Sequence, residues 1–133
     1  ILNISCLEKA VDEQKLVEPK DILNFTRLKI IERLKKDGSD EGGKDGMDCS
    51  FCSFDFKDLT LSYANANNSF YVLRNKAIIV SKSDKMPVGA GHNIEIGFSN
   101  HHFDLQKEDI VLTFTDGYAD QFGGPNKFKF TYR

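Results

Sequence analysis

"MDCSFCSFDFKDLTLSYANANNSFYVLRNKAIIVS", residues 47–81, decides the fold class. Polar and apolar residues alternate through "MDCSFCSFDF", break at Lys57-Asp58 and alternate again in "LTLSYANA", the pattern of a β-hairpin. "SFYVLRNKAIIVS" repeats the device, with Asn75-Lys76 at the turn between two β-rich runs. Downstream, "VGAGHN" reads as a flexible connection, "IEIGFSNHHFDL" as one or two short strands, and "DIVLTFT" as the most apolar strand of the chain. Upstream the texture is helical. "ILNISCLEKAVDE" spaces Leu2, Ile4, Leu7 and Val11 on one face and opens inside an element. "EPKDILNFTRLKIIERLKK" puts Pro19 near a helix start and Leu23, Ile30, Ile31 and Leu34 along one face. Between the two regions "DGSDEGGKDG" holds four glycines and four acids and builds no core, so it is a surface loop. Two helices followed by about five to seven short antiparallel strands make an α+β chain rather than alternating βαβ units. The expected layout is one domain over residues 1–133: helices 1–36, acidic glycine-rich loop 37–46, antiparallel strands 47–115, then a loop and helix start over 116–133.

A length of 133 residues suits one core and not two. Hydrophobic residues at 40% and charged residues at 29% exclude disordered and fibrous classes. The net charge of −2, without a basic stripe, argues against nucleic acid as a partner. No apolar run approaches the roughly 20 residues of a membrane span, and no signal peptide is legible, so the cytoplasm is the expected location. Three cysteines are too few and too odd a number for a disulfide framework. Cys49 and Cys52 lie three apart on a strand and point to opposite faces, which rules out chelation of one ion. His101 and His102 read as loop residues, with no nucleophile motif beside them, and "GAGHN" lacks the strand and helix context of a phosphate loop.

The acids carry the chemistry. In "LTFTDGYADQFGG", residues 112–124, a strand ends on Asp116, and Gly117 leaves room for a ligand or another backbone to approach. If a helix begins near Tyr118, Asp116 is equally its N-cap, and on this motif alone the cap reading leads. Asp120 lies four residues on, so a helical turn would set both carboxylates on one side, where they could share a hard cation. Asp45 and Asp48 bracket Gly46 at the mouth of the first hairpin, as turn residues or as a third ligand.

In order along the chain, "KDGMDCSFCSFDF", "LSYANANNSFYVLRN", "KMPVGAG", "LQKEDIVLTFTDGYADQFGG" and "KFKF" resemble the second half of bacterial phosphatases of the stage II sporulation protein E type. These belong to the PPM, or type 2C, metal-dependent serine/threonine phosphatases. The resemblance implies a partial αββα sandwich, with antiparallel sheets and flanking helices, incomplete at both ends. It implies hydrolysis of phosphoserine or phosphothreonine by a water bridging two Mn²⁺ or Mg²⁺ ions, with no covalent intermediate. Asp116 matches the family's metal ligand at the end of a central strand, and Gly117 the glycine after it. Asp45 and Asp120 match acids that join it around a further, weaker metal, and Asn67 and Asn68 match a conformational motif without assigned chemistry. A first ligand segment of the type Asp-x-Thr-Gly-His-Gly and a final Asp pair are expected outside these residues. The implied partner is a phosphorylated regulatory protein such as an anti-anti-sigma factor. The expectation for the chain by itself is weak metal binding, no activity and self-association through exposed sheet edges. A non-catalytic, partner-binding version of the fold is the alternative.

Overall fold

The computed structural model describes residues 2–36, 46–90, 94–118, 120–123, 125 and 128–129. Helix α1, Leu2–Glu8, runs on through a π-helical turn, Lys9–Glu13, and α2 spans Pro19–Lys36. Pro19 opens α2 where its missing N–H breaks no bond, and the Glu18 carbonyl accepts from Asp21 N and Ile22 N at 3.0 and 3.1 Å. Asp21 in the first turn, with Arg33, Lys35 and Lys36 in the last, complements the helix dipole. The buried face of α2 is rotated from the expected one. Ile22, Leu23, Thr26, Arg27 and Ile30 are buried, whereas Ile31 and Leu34 sit at the margin. A charged residue enters the core because its guanidinium finds acceptors there: Arg27 donates to the Gly89 carbonyl at 3.1 Å and the Ile96 carbonyl at 2.9 Å.

Strand β1, Gly46–Met47, is short, and β2, Cys49–Asp55, pairs in full antiparallel register with β3, Thr60–Ala66. The hairpin closes where the Asp55 carboxylate accepts from Lys57 N and Asp58 N at 2.9 and 3.1 Å. The second hairpin joins β4, Tyr71–Arg74, to β5, Ala77–Val80. Its turn residues Asn75 and Lys76 have φ of 49° and 65°, both positive as the tight two-residue hairpin turn requires. Strand β6, Val88–Gly89, pairs with β1; β7, His101–Asp104, pairs with β3; and β8, Ile110–Leu112, pairs with β4. Two antiparallel sheets of order β2-β3-β7 and β5-β4-β8 result. The architecture is α+β, as the residue pattern indicates.

Three corrections follow. His101 and His102 belong to β7 rather than a loop: His102 Nδ1 lies 2.9 Å from Ser62 Oγ on one face, and the His101 ring packs 5.2 Å from Tyr63. The strand read from "DIVLTFT" stops at Leu112, because its partner β4 starts at Tyr71, opposite Leu112. Among the described residues no α-helix begins near Tyr118. A 3₁₀ turn, Asp116–Tyr118, leads instead to a ribbon of β9, Phe122–Gly123, and β10, Phe128–Lys129.

Alternation along β3 builds two cores. Ala64 and Ala66 face the helices with Cys6, Leu23, Ile30, Met86, Val88 and Phe98. Leu61 and Tyr63 face the second sheet with Phe70 and Val72. Cys49 packs on the first core and Cys52 on the second, so the thiols do diverge. Burial pushes each thiol up to about 11, which leaves both as small apolar fillers. The outer face of the second sheet is different. Val72, Ile79 and Val111 point inward, while Ile78, Val80, Ile110 and Leu112 stand exposed around Tyr71 and Leu73. Strands apolar on both faces have the composition of a sheet made to be covered on both sides.

Arg74 ties β4 to the β7–β8 connection: it donates to both Asp109 oxygens, at 2.9 and 2.6 Å, and to the Asp104 carbonyl at 2.8 Å. The guanidinium bond holds the Asp109 carboxyl down at about 2. A depressed folded value means that this bond stabilises above the unfolded value of about 4 and is lost as pH falls through about 2. Asp109→Asn is therefore expected to lower stability at neutral pH, and urea unfolding across a pH series should show the deficit shrinking between about pH 4 and 2. A deficit independent of pH would mean that the variant acts through packing rather than charge.

Candidate functional site

At one end of the sandwich the two sheets part, and a cleft of about 550 Å³ opens between them. One wall carries Gly46 and Asp48, at the entry to the first hairpin. The other carries Tyr71, at the start of β4, and Phe114 to Asp116, beyond β8. Asn67, Asn68 and Ser69, the connection between β3 and β4, join the walls.

Each wall is held by identifiable bonds. Asn67 has φ of 55°, a left-handed conformation that Asn tolerates, and its backbone N–H donates to the Asp84 carbonyl at 2.8 Å. Its side-chain Nδ2 donates to Asp48 Oδ1 at 2.8 Å. Asn68 Nδ2 donates to the Phe114 carbonyl at 2.9 Å, and the Phe114 ring stacks on Tyr71 with centroids 5.0 Å apart. These contacts carry the chain past the end of β8 and aim it at Asp116. Beneath the connection, Asn65 Nδ2 donates to Ser81 Oγ at 2.9 Å and to the Lys82 carbonyl at 2.8 Å. Phe70 N donates to the same Ser81 Oγ at 2.8 Å, which anchors the floor of the cleft to both sheets.

Asp116 begins the 3₁₀ turn and is exposed. Asp120 N bonds to the Asp116 backbone carbonyl at 2.8 Å, so the turn closes on the main chain. Among the described residues nothing donates to the Asp116 carboxylate. Asp120 lies one turn on, exposed and outside the lining of the cleft. Gly117 flanks the site; a Cβ there would meet Thr115 Oγ1 at 3.3 Å, a tight contact that a hydroxyl rotamer can relieve. Gly46 is more constrained, since a Cβ would stand 2.7 Å from the Pro87 Cβ, and this closeness lets β1 and β6 pair beside Asp48. Asp45 lies outside the described residues.

Sequence reasoning left Asn67 and Asn68 without assigned chemistry and Asp48 as either a turn residue or a third ligand. Two consecutive Asn residues between apolar strands were the available signal, because a left-handed residue that also bonds through its side chain is often Asn. Among the described residues no three His, Cys, Asp or Glu side chains form a metal-ligating group, and the lining has no cationic side chain. Its donors are carboxylate, amide and hydroxyl oxygens, which suit a hard divalent cation rather than zinc. The same two carboxylates would repel a phosphate that arrived without a cation.

The family model described as Stage II sporulation protein E (SpoIIE) matches residues 4–131. The chain belongs to the SpoIIE family. Its fold agrees with that assignment. The SiaA-PP2C domain of Pseudomonas aeruginosa superposes with a TM-score of 0.81 at 21% identity, over 98% of this chain and 49% of that one. This SpoIIE-family chain therefore spans about half the length of the solved domain that it matches. No curated protein matches it. Among the described residues of this SpoIIE-family chain, no helix is long and apolar enough to cross a membrane.

Proposed function

We propose that this chain supplies part of a metal-dependent serine/threonine phosphatase, with the cleft at Asp116 as its cation and phosphate site. The observation that carries the reading is an exposed Asp116 carboxylate, free of hydrogen bonds to the described residues, on a cleft whose described lining holds oxygen ligands and no cationic side chain. Asp116 would hold Mn²⁺ or Mg²⁺, with Asp48 across the cleft and Asp45, Asp120 and the backbone at Gly117 as accessory positions. When bound, such an ion neutralises charge on phosphoryl oxygens and acidifies water at the scissile phosphorus. The chain's own contribution is to fix Asp116 through the Asn68 bond to Phe114 and to wall the cleft with the Tyr71–Phe114 stack.

The substrate class that suits this reading is a phosphoserine or phosphothreonine on a cytoplasmic regulatory protein, such as an anti-anti-sigma factor. Alone, the chain is expected to be inactive, because affinity for a hard cation rises with the number and charge of its ligands. The test is hydrolysis of p-nitrophenyl phosphate and of a phosphoserine protein by the full-length protein, with Mn²⁺ and with EDTA. Mn²⁺-dependent turnover supports the reading. Its absence at every metal concentration favours the alternative, a non-catalytic partner-binding module.

Self-association belongs to the same proposal. β2 and β7 edge one sheet, β5 and β8 edge the other, and the outer face of the second sheet is apolar and exposed. Light scattering on the 133-residue chain is expected to give a mass above 15.1 kDa, and Ile78→Lys or Leu112→Lys to return it toward that value. A monomer at all concentrations would remove this part of the account.

A further inference from the structure

The geometry points to Asn67 and Asn68 as the positioning residues that set the distance between the two carboxylate walls of the cleft. They are consecutive, and their side-chain amides reach opposite walls. Asn67 Nδ2 donates to Asp48 Oδ1 at 2.8 Å, and Asn68 Nδ2 donates to the Phe114 carbonyl at 2.9 Å, two residues before Asp116. The connection between these anchors is braced on its own account: Asn67 N bonds to the Asp84 carbonyl at 2.8 Å, and Ser69 N to Asn68 Oδ1 at 3.1 Å. Asp84 is pinned in turn, its carboxylate accepting from Ser99 N at 2.7 Å and Ser99 Oγ at 3.0 Å. A strut fixed at its centre, with one arm on each wall, holds Asp48 and Asp116 at a set separation across the opening.

Function needs such a device because neither carboxylate sits on a strand. Asp48 falls between β1 and β2, and Asp116 follows three residues that pair with no described strand. Sheet hydrogen bonds therefore do not hold the two acids at a fixed distance, and two like charges left free would move apart. An amide suits the Asp48 arm, since it donates to one carboxylate oxygen, leaves the other available and adds no charge. The inference rests on the proposed cation site. Loss of a bond that orients a metal-ligating carboxylate costs about 10- to 100-fold in affinity.

The test reads Mn²⁺ affinity from water-proton relaxation, and fold from thermal unfolding, on the chain and on variants. Asn67→Gly keeps the left-handed backbone open to the chain while deleting the amide arm. It is expected to weaken Mn²⁺ binding about tenfold or more, with the unfolding temperature little changed. Asn68→Ala should weaken binding in the same way through Asp116. If Asn67→Gly lowers affinity and melting together, the exchanged pair Asp48→Asn with Asn67→Asp decides, because it rebuilds the bond with donor and acceptor reversed. Restored folding with affinity still low supports the strut acting through the Asp48 carboxylate, and restored affinity would make the pair structural and overturn the inference. Unchanged affinity in Asn67→Gly and Asn68→Ala overturns it as well and leaves the cation site standing. Absence of Mn²⁺ binding by the unsubstituted chain and full-length protein removes both.

Discussion

Asp116→Ala in the full-length protein is expected to lower phosphatase turnover by about a thousandfold, equivalent to about 4 kcal/mol of transition-state stabilisation. Thermal unfolding should stay close to that of the unsubstituted protein. The reasoning separates function from fold. Asp116 is exposed, and no described residue donates to its carboxylate, so its removal deletes no hydrogen bond to the described part of the fold. Surface substitutions of this kind usually change stability by less than about 0.5 kcal/mol. The same carboxylate is the acid placed at the end of the segment steered by Asn68 and the Tyr71–Phe114 stack. If Asp116 holds the proposed cation, its loss would remove stabilisation of charge that develops only during phosphoryl transfer, so the effect should fall on kcat more than on substrate affinity. Asp120→Ala, outside the cleft lining, is expected to show a much smaller loss. Equal losses at both positions would place the main ligand elsewhere.

Phe70→Ala is expected to have the largest effect on stability, about 3–5 kcal/mol. Phe70 is buried, and its ring meets Tyr63 edge-on with centroids 4.8 Å apart, at the centre of the core between the two sheets. Deleting the ring loses its transfer free energy and leaves a cavity between layers that cannot close without shifting both sheets. For a chain of this size that corresponds to a drop in melting temperature of about 10–20 °C. Phe70 also follows directly on Ser69 and precedes Tyr71, so the cavity lies under the cleft. Phe56→Ala, at a ring 80% exposed, is the control and should cost little. Similar melting temperatures for the two variants would show that the inter-sheet core is not where the stability resides.

What the residues disclosed and what they hid follow from the range of the forces involved. Both hairpins were legible because their signals are local: alternation in "CSFCSFD" and "TLSYANA", and a turn at Asn75-Lys76 that the backbone then occupies with positive φ. The rotated face of α2 was not legible. Arg27 counts as a surface residue until the Gly89 and Ile96 carbonyls, more than sixty residues away, are known to receive it. The early end of β8 has the same origin, since strand length is set by the partner, and β4 begins at Tyr71.

For the site, the motif around Asp116 was visible, but a helix cap and a metal ligand both place an Asp at the end of a strand, so the local sequence does not separate them. Asp48 read as a turn residue or a third ligand, because nothing local links it to Asp116. Asn67 and Asn68 make that link through space, and side-chain amides carry no periodicity for a sequence to display.

The central claim is that the cleft between Asp48 and Asp116 takes a hard divalent cation. Its most direct test is an amide nuclear magnetic resonance spectrum of the ¹⁵N-labelled chain titrated with Mn²⁺, since paramagnetic broadening reports position even when binding is weak. The account predicts that Asp48, Asn67, Asn68, Ser69, Thr115 and Asp116 broaden first and together. Broadening that leaves these residues sharp, and gathers on other acidic stretches of the chain, would contradict it.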